Sequence, residues 1–367
     1  MSLSEEEEER YSRQIVLDDI GYKGQIRLRK SKFCVVGVGG LGTHIATSLT
    51  TMGAGLVRIV DRDIVELSNL HRQPLYGVSN LGYPKVEAAA ARLQQLNPDV
   101  QVETVPSTIN SSNAADIIND CDVVVDGLDS IEARYALNAA CVKLEIPYVY
   151  GSAIETMGSV MTIIPNQTPC VQCVFPNLRD DELPKCGVDG VNPSILSLVS
   201  SIEVSEAVKI ALGNSPSLAG RLLLANLHDI SFDIVDLKRA DACSICGPSP
   251  TPELVISNPK FVEDICGRDG GKRVFVLTPK ENLGIEMSIL GEKIRNSGRN
   301  IKTQGALGIT FHHNDRVSVS VLSSGVTIVV GTNVEEEAIE IFRTSILEPL
   351  QISWSRVNEV EPRLVKS

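Results

Sequence analysis

Four of the nine cysteines in this 367-residue chain fall into two Cys-x-x-Cys pairs, Cys170 with Cys173 and Cys243 with Cys246. Thiols at that spacing, flanked by proline or glycine, suit two loops that together present four thiolates to one tetrahedral zinc ion, a closed and therefore structural site. A disulfide framework fits poorly, because the count is odd and the first residues lack the charged-then-apolar pattern of an export signal. A second constellation is the turn Gly37-Val38-Gly39-Gly40-Leu41-Gly42, which follows one apolar run and opens a helical one. Glycines there let backbone amides and a helix N-terminus approach phosphate oxygens. Asp61 stands about twenty residues further on, at the end of the next apolar run, where a carboxylate accepts hydrogen bonds from ribose hydroxyls. A bound nucleotide follows.

The glycine turn and Asp61 would by themselves also serve a nicotinamide-dependent oxidoreductase. The residues that come next favour a triphosphate. A long polar excursion runs from Asp61 to Gln73, and Pro84-Lys85 then opens another helix. The proline suits a first helical turn, which sets the lysine among unpaired helix amides. The bridging phosphates of a dinucleotide need no pairing of an arginine with a lysine, whereas a triphosphate undergoing cleavage does. Asp129 lies just past the apolar run 121–126, where open α/β sheets bind ligands, and a carboxylate exposed there suits a hard cation that keeps several waters.

These groups need a scaffold, and from Lys32 onward apolar β-rich runs alternate with helical patterns. Near-continuous apolar strands separated by helices predict a parallel sheet covered on both faces, hence an α/β, doubly wound, mainly parallel Rossmann-like fold. After Gly158 the pattern suggests antiparallel strands added to the same sheet and a long helix over 193–212. The proline-rich stretch 247–254 reads as a linker. The domains are therefore expected at 1–250, with a linker at 251–258 and a smaller C-terminal α+β domain at 259–367.

The turn at 37–42, the run from Asp61 to Gln73, the Gly82-x-Pro84-Lys85 motif and the segment 126–138 together resemble the ThiF/MoeB/HesA family, relatives of the ubiquitin-activating enzymes. The likeness covers residues from about Glu9 to Gly247. It implies ATP-dependent adenylation of the C-terminal carboxylate of a small ubiquitin-like or sulfur-carrier protein, whose tail is expected to end Gly-Gly. It also implies a role for Asp61 on the ribose, Asn69 near the phosphates, Arg72 and Lys85 on the triphosphate and Asp129 on magnesium. Arg13 would reach the active site of the other protomer of a homodimer; without the resemblance it reads as a surface arginine on an amphipathic helix. The family agrees with zinc at the four paired cysteines and places a thioester- or persulfide-accepting cysteine at the position of Cys186. Lying near a helix N-terminus and beside Lys185, that thiol has the setting of a lowered pKa, its alternative being an unreactive loop thiol. An external sulfur donor is the other acceptor.

The remaining features limit the partners. A net charge of −12 argues against direct nucleic-acid binding, and no apolar run reaches membrane-spanning length, so a cytoplasmic protein is expected. Cys266, in a glycine-rich stretch resembling a persulfide loop, is expected in a turn, since it precedes the first recognisable strand of the terminal domain. His312-His313 has no partner at ligand spacing and reads as a hairpin end. The terminal domain shows no cluster of titratable residues at catalytic spacing, so it is expected to recruit or orient a partner. Besides the oxidoreductase, the rival reading is a nucleotide-binding scaffold without enzymatic activity.

Overall fold

The computed structural model describes residues 2–182, 189–251, 259–268 and 272–359, and of residues 266–268 and 272 the backbone alone. Strands β1 (Lys32–Val36), β2 (Leu56–Val60), β3 (Gln101–Val105), β4 (Val123–Asp126) and β5 (Tyr148–Ile154) pair in parallel, and β6 (Met157–Ile163), β7 (Arg221–Asn226) and β8 (Ser231–Asp236) continue the sheet antiparallel. In the order β3-β2-β1-β4-β5-β6-β7-β8 successive strands are added outward from β1 first to one side and then, from β4, to the other, so the topology switches between β1 and β4. Crevices beyond the carboxyl ends of strands at such a switch are where ligands bind in open sheets.

Three short N-terminal helices, α1 (Glu5–Arg10), α2 (Ser12–Ile15) and α3 (Gly21–Leu28), precede the sheet. Helices α4 (Gly40–Thr51) and α5 (Lys85–Leu96) share one face with the 20-residue α9 (Pro193–Leu212), while α6 (Ala114–Ile118), α7 (Ile131–Lys143) and the single turn α8 (Val171–Val174) cover the other. Pro193 starts α9 at its first turn under an Asn192 cap, and Gly213, at φ 76°, ends it. Between those ends its apolar residues are buried on several sides, from Ile195 and Val199 to Val208 and Leu212, which is why no polar stripe marks it in the sequence.

The second sheet is wholly antiparallel, in the order β11-β12-β13-β14-β10-β9, with β9 (Val262–Arg268), β10 (Lys272–Leu277), β11 (Ile301–Gln304), β12 (Gly308–His312), β13 (Ser318–Leu322) and β14 (Thr327–Val330). Helices α10 (Met287–Asn296) and α11 (Glu335–Phe342) pack on the face bearing Phe275, Leu277, Phe311 and Val319. Val274, Val276, Leu322 and Ile328 point the other way and enclose Ile64 of the first sheet's loops. Burial on both faces explains the continuous apolar run in β10.

One sequence expectation changes. Cys266 lies within β9, an edge strand, and not in a turn; β9 is poor in apolar residues and gives no strand pattern in the sequence. The terminal unit is seated directly against the first, through contacts such as Arg62 with Glu263 and Thr303 with Gly82, while most of the linker expected at 251–258 lies outside the described residues. His312 ends β12 as a hairpin end, as expected.

Candidate functional site

The glycine turn leaves β1 and becomes the N-terminus of α4. Gly37 takes φ +89° against the backbone of Gly127, and a Cβ on Gly42 would run into the carbonyl of Gly37. A Cβ on Gly40 would come within 2.8 Å of Leu196 of α9. These three glycines are explained by packing. Gly39 is different: a Cβ there would meet only Gln73 Nε2, at 3.8 Å. What its lack of a side chain leaves is open space at a helix N-terminus, the cradle a phosphate group needs. Beneath it the buried Tyr76 hydroxyl donates to Val38 O at 2.8 Å and props the turn from inside.

Asp61 follows β2 directly. One carboxylate oxygen accepts the Val38 amide at 2.7 Å and the other the Asp63 amide at 2.7 Å, so the carboxylate ties the β2 end to the glycine turn. Burial raises its pKa, with the Lys85 charge opposing that rise. Lys85 Nζ lies 2.9 Å from Asp63 Oδ2, and their side chains are only 6% and 13% exposed. A short ladder joins the two segments: Lys85 N donates to Asp63 O, Val65 N to Tyr83 O, and Gly82 N to Val65 O, each at 2.9 Å. Asn69 is buried and accepts the Glu66 amide, while Arg72 is half-buried and donates to Ser68 O at 2.7 Å.

Asp129 is exposed on the loop after β4. That loop is held from below by Arg134, whose guanidinium donates to Asp126 Oδ2 at 2.9 Å, to Leu128 O at 2.6 Å and to Gly151 O at 2.7 Å. Tyr148 adds a hydroxyl to Asp126. Burial raises the Asp126 pKa while Arg134 works against the rise. Asp63, Tyr76 and Arg134 are functional supports that reading by motif passed over. Asp63, two residues after Asp61, and Arg134, inside the 126–138 segment, carried a signal; Tyr76 carried none, because its partner is a backbone atom distant in sequence.

The same polar centre contains Glu203 of α9, packed on Gly151 and fully buried, and neither of its carboxyl oxygens has a hydrogen-bond partner among the described residues. Burial first, and the Asp126 charge next, push its pKa well above 4.5, with Arg134 opposing. A folded-state pKa raised in this way means that, above about pH 4.5, the unfolded chain has released a proton the folded chain still holds, so stability falls as pH rises. Glu203→Gln is accordingly expected to match the wild type near pH 4.5 and to melt about 3 °C or more above it at pH 8, read by calorimetry across that range. Equal midpoints at pH 8 would mean that Glu203 is not held protonated.

Arg13 is exposed on α2. Its neighbour Gln14 donates to Met52 O, at the C-terminal end of α4, about 18 Å along that helix from the glycine turn. Within one protomer Arg13 therefore stands at the wrong end of α4 for the phosphates. On the opposite face of the sheet, the sulfurs of Cys170, Cys173, Cys243 and Cys246 lie within 4.8 Å of one another, with Cys170 to Cys243 at 3.6 Å and Cys173 to Cys246 at 3.3 Å. Four ligands at the usual zinc–sulfur distance stand about 3.8 Å apart, so the set fits a tetrahedral metal. Cys186 and Lys185 lie outside the described residues.

A doubly wound sheet with a glycine turn, a carboxylate just past β2 and a buried lysine gathered at its switch point has the architecture of a nucleotide-binding domain, here extended by antiparallel strands and a cysteine knuckle. The ThiF family model matches residues 11–245, and the chain belongs to that family. The "Sulfur carrier protein adenylyltransferase" of Thermus thermophilus is 38% identical over 71% of this chain and 98% of its own length. The "SAMP-activating enzyme E1" of Haloferax volcanii is 38% identical over 67% of this chain and 92% of its own. The "Adenylyltransferase and sulfurtransferase MOCS3" of Culex quinquefasciatus is 38% identical over 80% of this chain, which spans 68% of that relative. For its counterpart in Aedes aegypti the span is 65%. Among solved structures, MccB of E. coli aligns at a TM-score of 0.59 with 21% identity over 65% of this chain and 73% of its own, a likeness of fold.

Proposed function

We propose that the protein is an ATP-dependent adenylyltransferase that activates the C-terminal carboxylate of a small ubiquitin-like or sulfur-carrier protein. The observation that carries this reading is the convergence of Gly39, Asp61, Lys85 and Asp129 on one edge of the sheet in a chain of the ThiF family. ATP lies over the turn of Gly37, Gly39, Gly40, Leu41 and Gly42, with Asp61 on its ribose and Asn69, Arg72 and Lys85 along the phosphates. The carrier's terminal carboxylate, already ionised near pH 7, attacks the α-phosphorus; the bond to the β,γ-diphosphate breaks and pyrophosphate leaves. Catalysis consists of positioning and charge neutralisation. Magnesium on Asp129 adds charge neutralisation at the phosphates. Arg13, distant in its own protomer, serves the site of a partner in a homodimer. The Cys186 thiol, or an external sulfur donor, then attacks the acyl carbon of the adenylate; the acyl–phosphate bond breaks and AMP leaves. Zinc at the four paired cysteines holds the 170–174 turn against the 243–247 segment and does no chemistry. The compartment is the cytoplasm; among the described residues no helix is long and apolar enough to cross a membrane.

A protein substrate needs a surface as well as a nucleotide pocket. Strand β8 ends the sheet with Phe232 and Ile234 on one face, 50% and 56% exposed. It lies four strands beyond β4, about 19 Å away at ordinary strand spacing, a span that a tail of about six extended residues covers. A carrier body on β8 with its tail, ending Gly-Gly, reaching the switch point satisfies both distances. The test is carrier-dependent ATP–pyrophosphate exchange with a Gly-Gly-terminated ubiquitin-fold carrier. Exchange is expected with ATP, and ATP but not NAD binds the enzyme alone. The Phe232→Asp, Ile234→Asp variant should raise KM for the carrier about tenfold while ATP affinity holds. Binding of NAD in place of ATP would replace the reading with a redox one, and ATP binding without exchange would leave a scaffold.

A further inference from the structure

The terminal sheet lies across the edge of the first sheet where the nucleotide residues sit. Contacts of the terminal domain fall on the loops that follow β2 and β3 and on the first turn of α7. Arg62 and Glu263 form a two-pronged ion pair at 2.7 and 2.9 Å; Ser324 Oγ donates to Pro106 O at 2.5 Å; Thr108 and Thr278 share a hydroxyl bond of 3.0 Å; and Lys260 faces Glu132 at 3.8 Å. The densest contacts concern the turn that delivers Lys85. Thr303 of β11 and Thr310 of β12, directly opposite each other in register, both donate their hydroxyls to the single carbonyl of Gly82, at 2.9 and 2.8 Å. In the first turn of α5, the Glu87 carboxylate accepts the amides of Ala306 and Leu307 at 2.8 and 2.9 Å.

The seam is fitted at backbone level. Gly82, at φ +87°, has Thr303 Oγ1 only 2.7 Å from where a Cβ would stand, and a Cβ on Gly308 would meet Pro84 Cγ at 2.6 Å. A Cβ on Gly305 would strike the Glu87 carboxylate. Three glycines at one seam allow a backbone approach that a loosely tethered domain would not require. Charge-assisted bonds to Glu87 and paired bonds to Gly82 O hold the residues on either side of Lys85, while the ladder to Asp63 holds Lys85 to the Asp61 segment.

We propose that the terminal domain is a positioning element of the nucleotide site, acting through Gly82 and Glu87 to hold Lys85 and the segment it pairs with in their ATP-binding geometry. This rests on the nucleotide reading above, and it differs from the expectation of a partner-recruiting arm. Thr303, Thr310 and the 305–307 turn are positioning residues that touch no substrate. A domain so placed makes the nucleotide site sensitive to anything that loosens the seam.

The test uses the full chain with Thr303→Val and Thr310→Val combined, which keeps side-chain shape and removes both hydroxyls. Amide hydrogen exchange over residues 82–89, measured without ligand, is expected to quicken about tenfold. The Kd for magnesium-ATP is expected to rise about tenfold, and the paired Thr→Ser variant should restore both. Wild-type exchange over 82–89 in a folded valine variant would overturn the proposal whatever ATP does. Quickened exchange with wild-type ATP affinity would overturn it as well, leaving a structural seam only. A wild-type protein that fails to bind ATP would instead bring down the nucleotide reading. Should the valine pair not fold, Glu87→Gln in the full chain gives the same two readouts.

Discussion

Lys85→Ala is expected to lower the turnover of carrier-dependent ATP–pyrophosphate exchange by about a hundredfold to a thousandfold, and to weaken ATP binding far less. The lysine is a buried cation beside the Asp61 segment, and on the proposed reading its charge matters most as the α-phosphorus becomes crowded and negative. Its environment adds a complication that the motif does not reveal. Lys85 also neutralises Asp63 at 2.9 Å, two residues from Asp61, in a setting where both partners are largely buried. Removing it takes away the charge that faces Asp63 at 2.9 Å, so the single variant also loses stability. The Asp63→Asn, Lys85→Ala variant separates the two effects. It should regain much of the lost thermal stability and none of the turnover, whereas recovery of exchange would mean that Lys85 serves the fold and not the phosphates. Asp129→Ala, exposed and remote from the core, should abolish exchange at unchanged melting temperature.

The second large effect is metal-dependent. One zinc per chain is expected, and Cys243→Ser should lose it and lower the melting midpoint by about 10 °C. The physical ground is the distance in sequence between the two pairs: Cys170 and Cys173 sit on the turn of α8, whereas Cys243 and Cys246 come after β8, and among the described residues no strand pairing joins them. Without the ion, four thiols within 4.8 Å of one another remain where two chain segments meet. Metal analysis of the purified wild type and variant decides it. Zinc retained at wild-type stoichiometry in Cys243→Ser would mean that the pairs do not share an ion.

Much of the first unit was legible in the chain because its signals are local. A glycine turn between an apolar run and a helix, Pro84 before Lys85, and Pro193 and Gly213 at the ends of α9 each act through backbone conformation, which a few neighbouring residues determine. The doubly wound order follows from alternation of strand and helix, and the paired cysteines lie at metal-ligand spacing, whose meeting the structure bears out geometrically. The positions of Asp61 and Asp129 at strand ends are local facts of the same kind.

Other features depend on contacts between residues far apart in sequence, and these only the tertiary structure decided. Tyr76 under the turn, Arg134 beneath Asp129 and the partnerless Glu203 are polar residues whose meaning lies in what they face. The terminal domain is the clearest case. Gly82 is legible only as part of a motif, and Gly305, Gly308, Thr303 and Thr310 carry no signal of a seam, until the two sheets are brought together. Their roles come from packing across more than two hundred residues of chain, and periodicity within a segment carries no information about which surface will cover it.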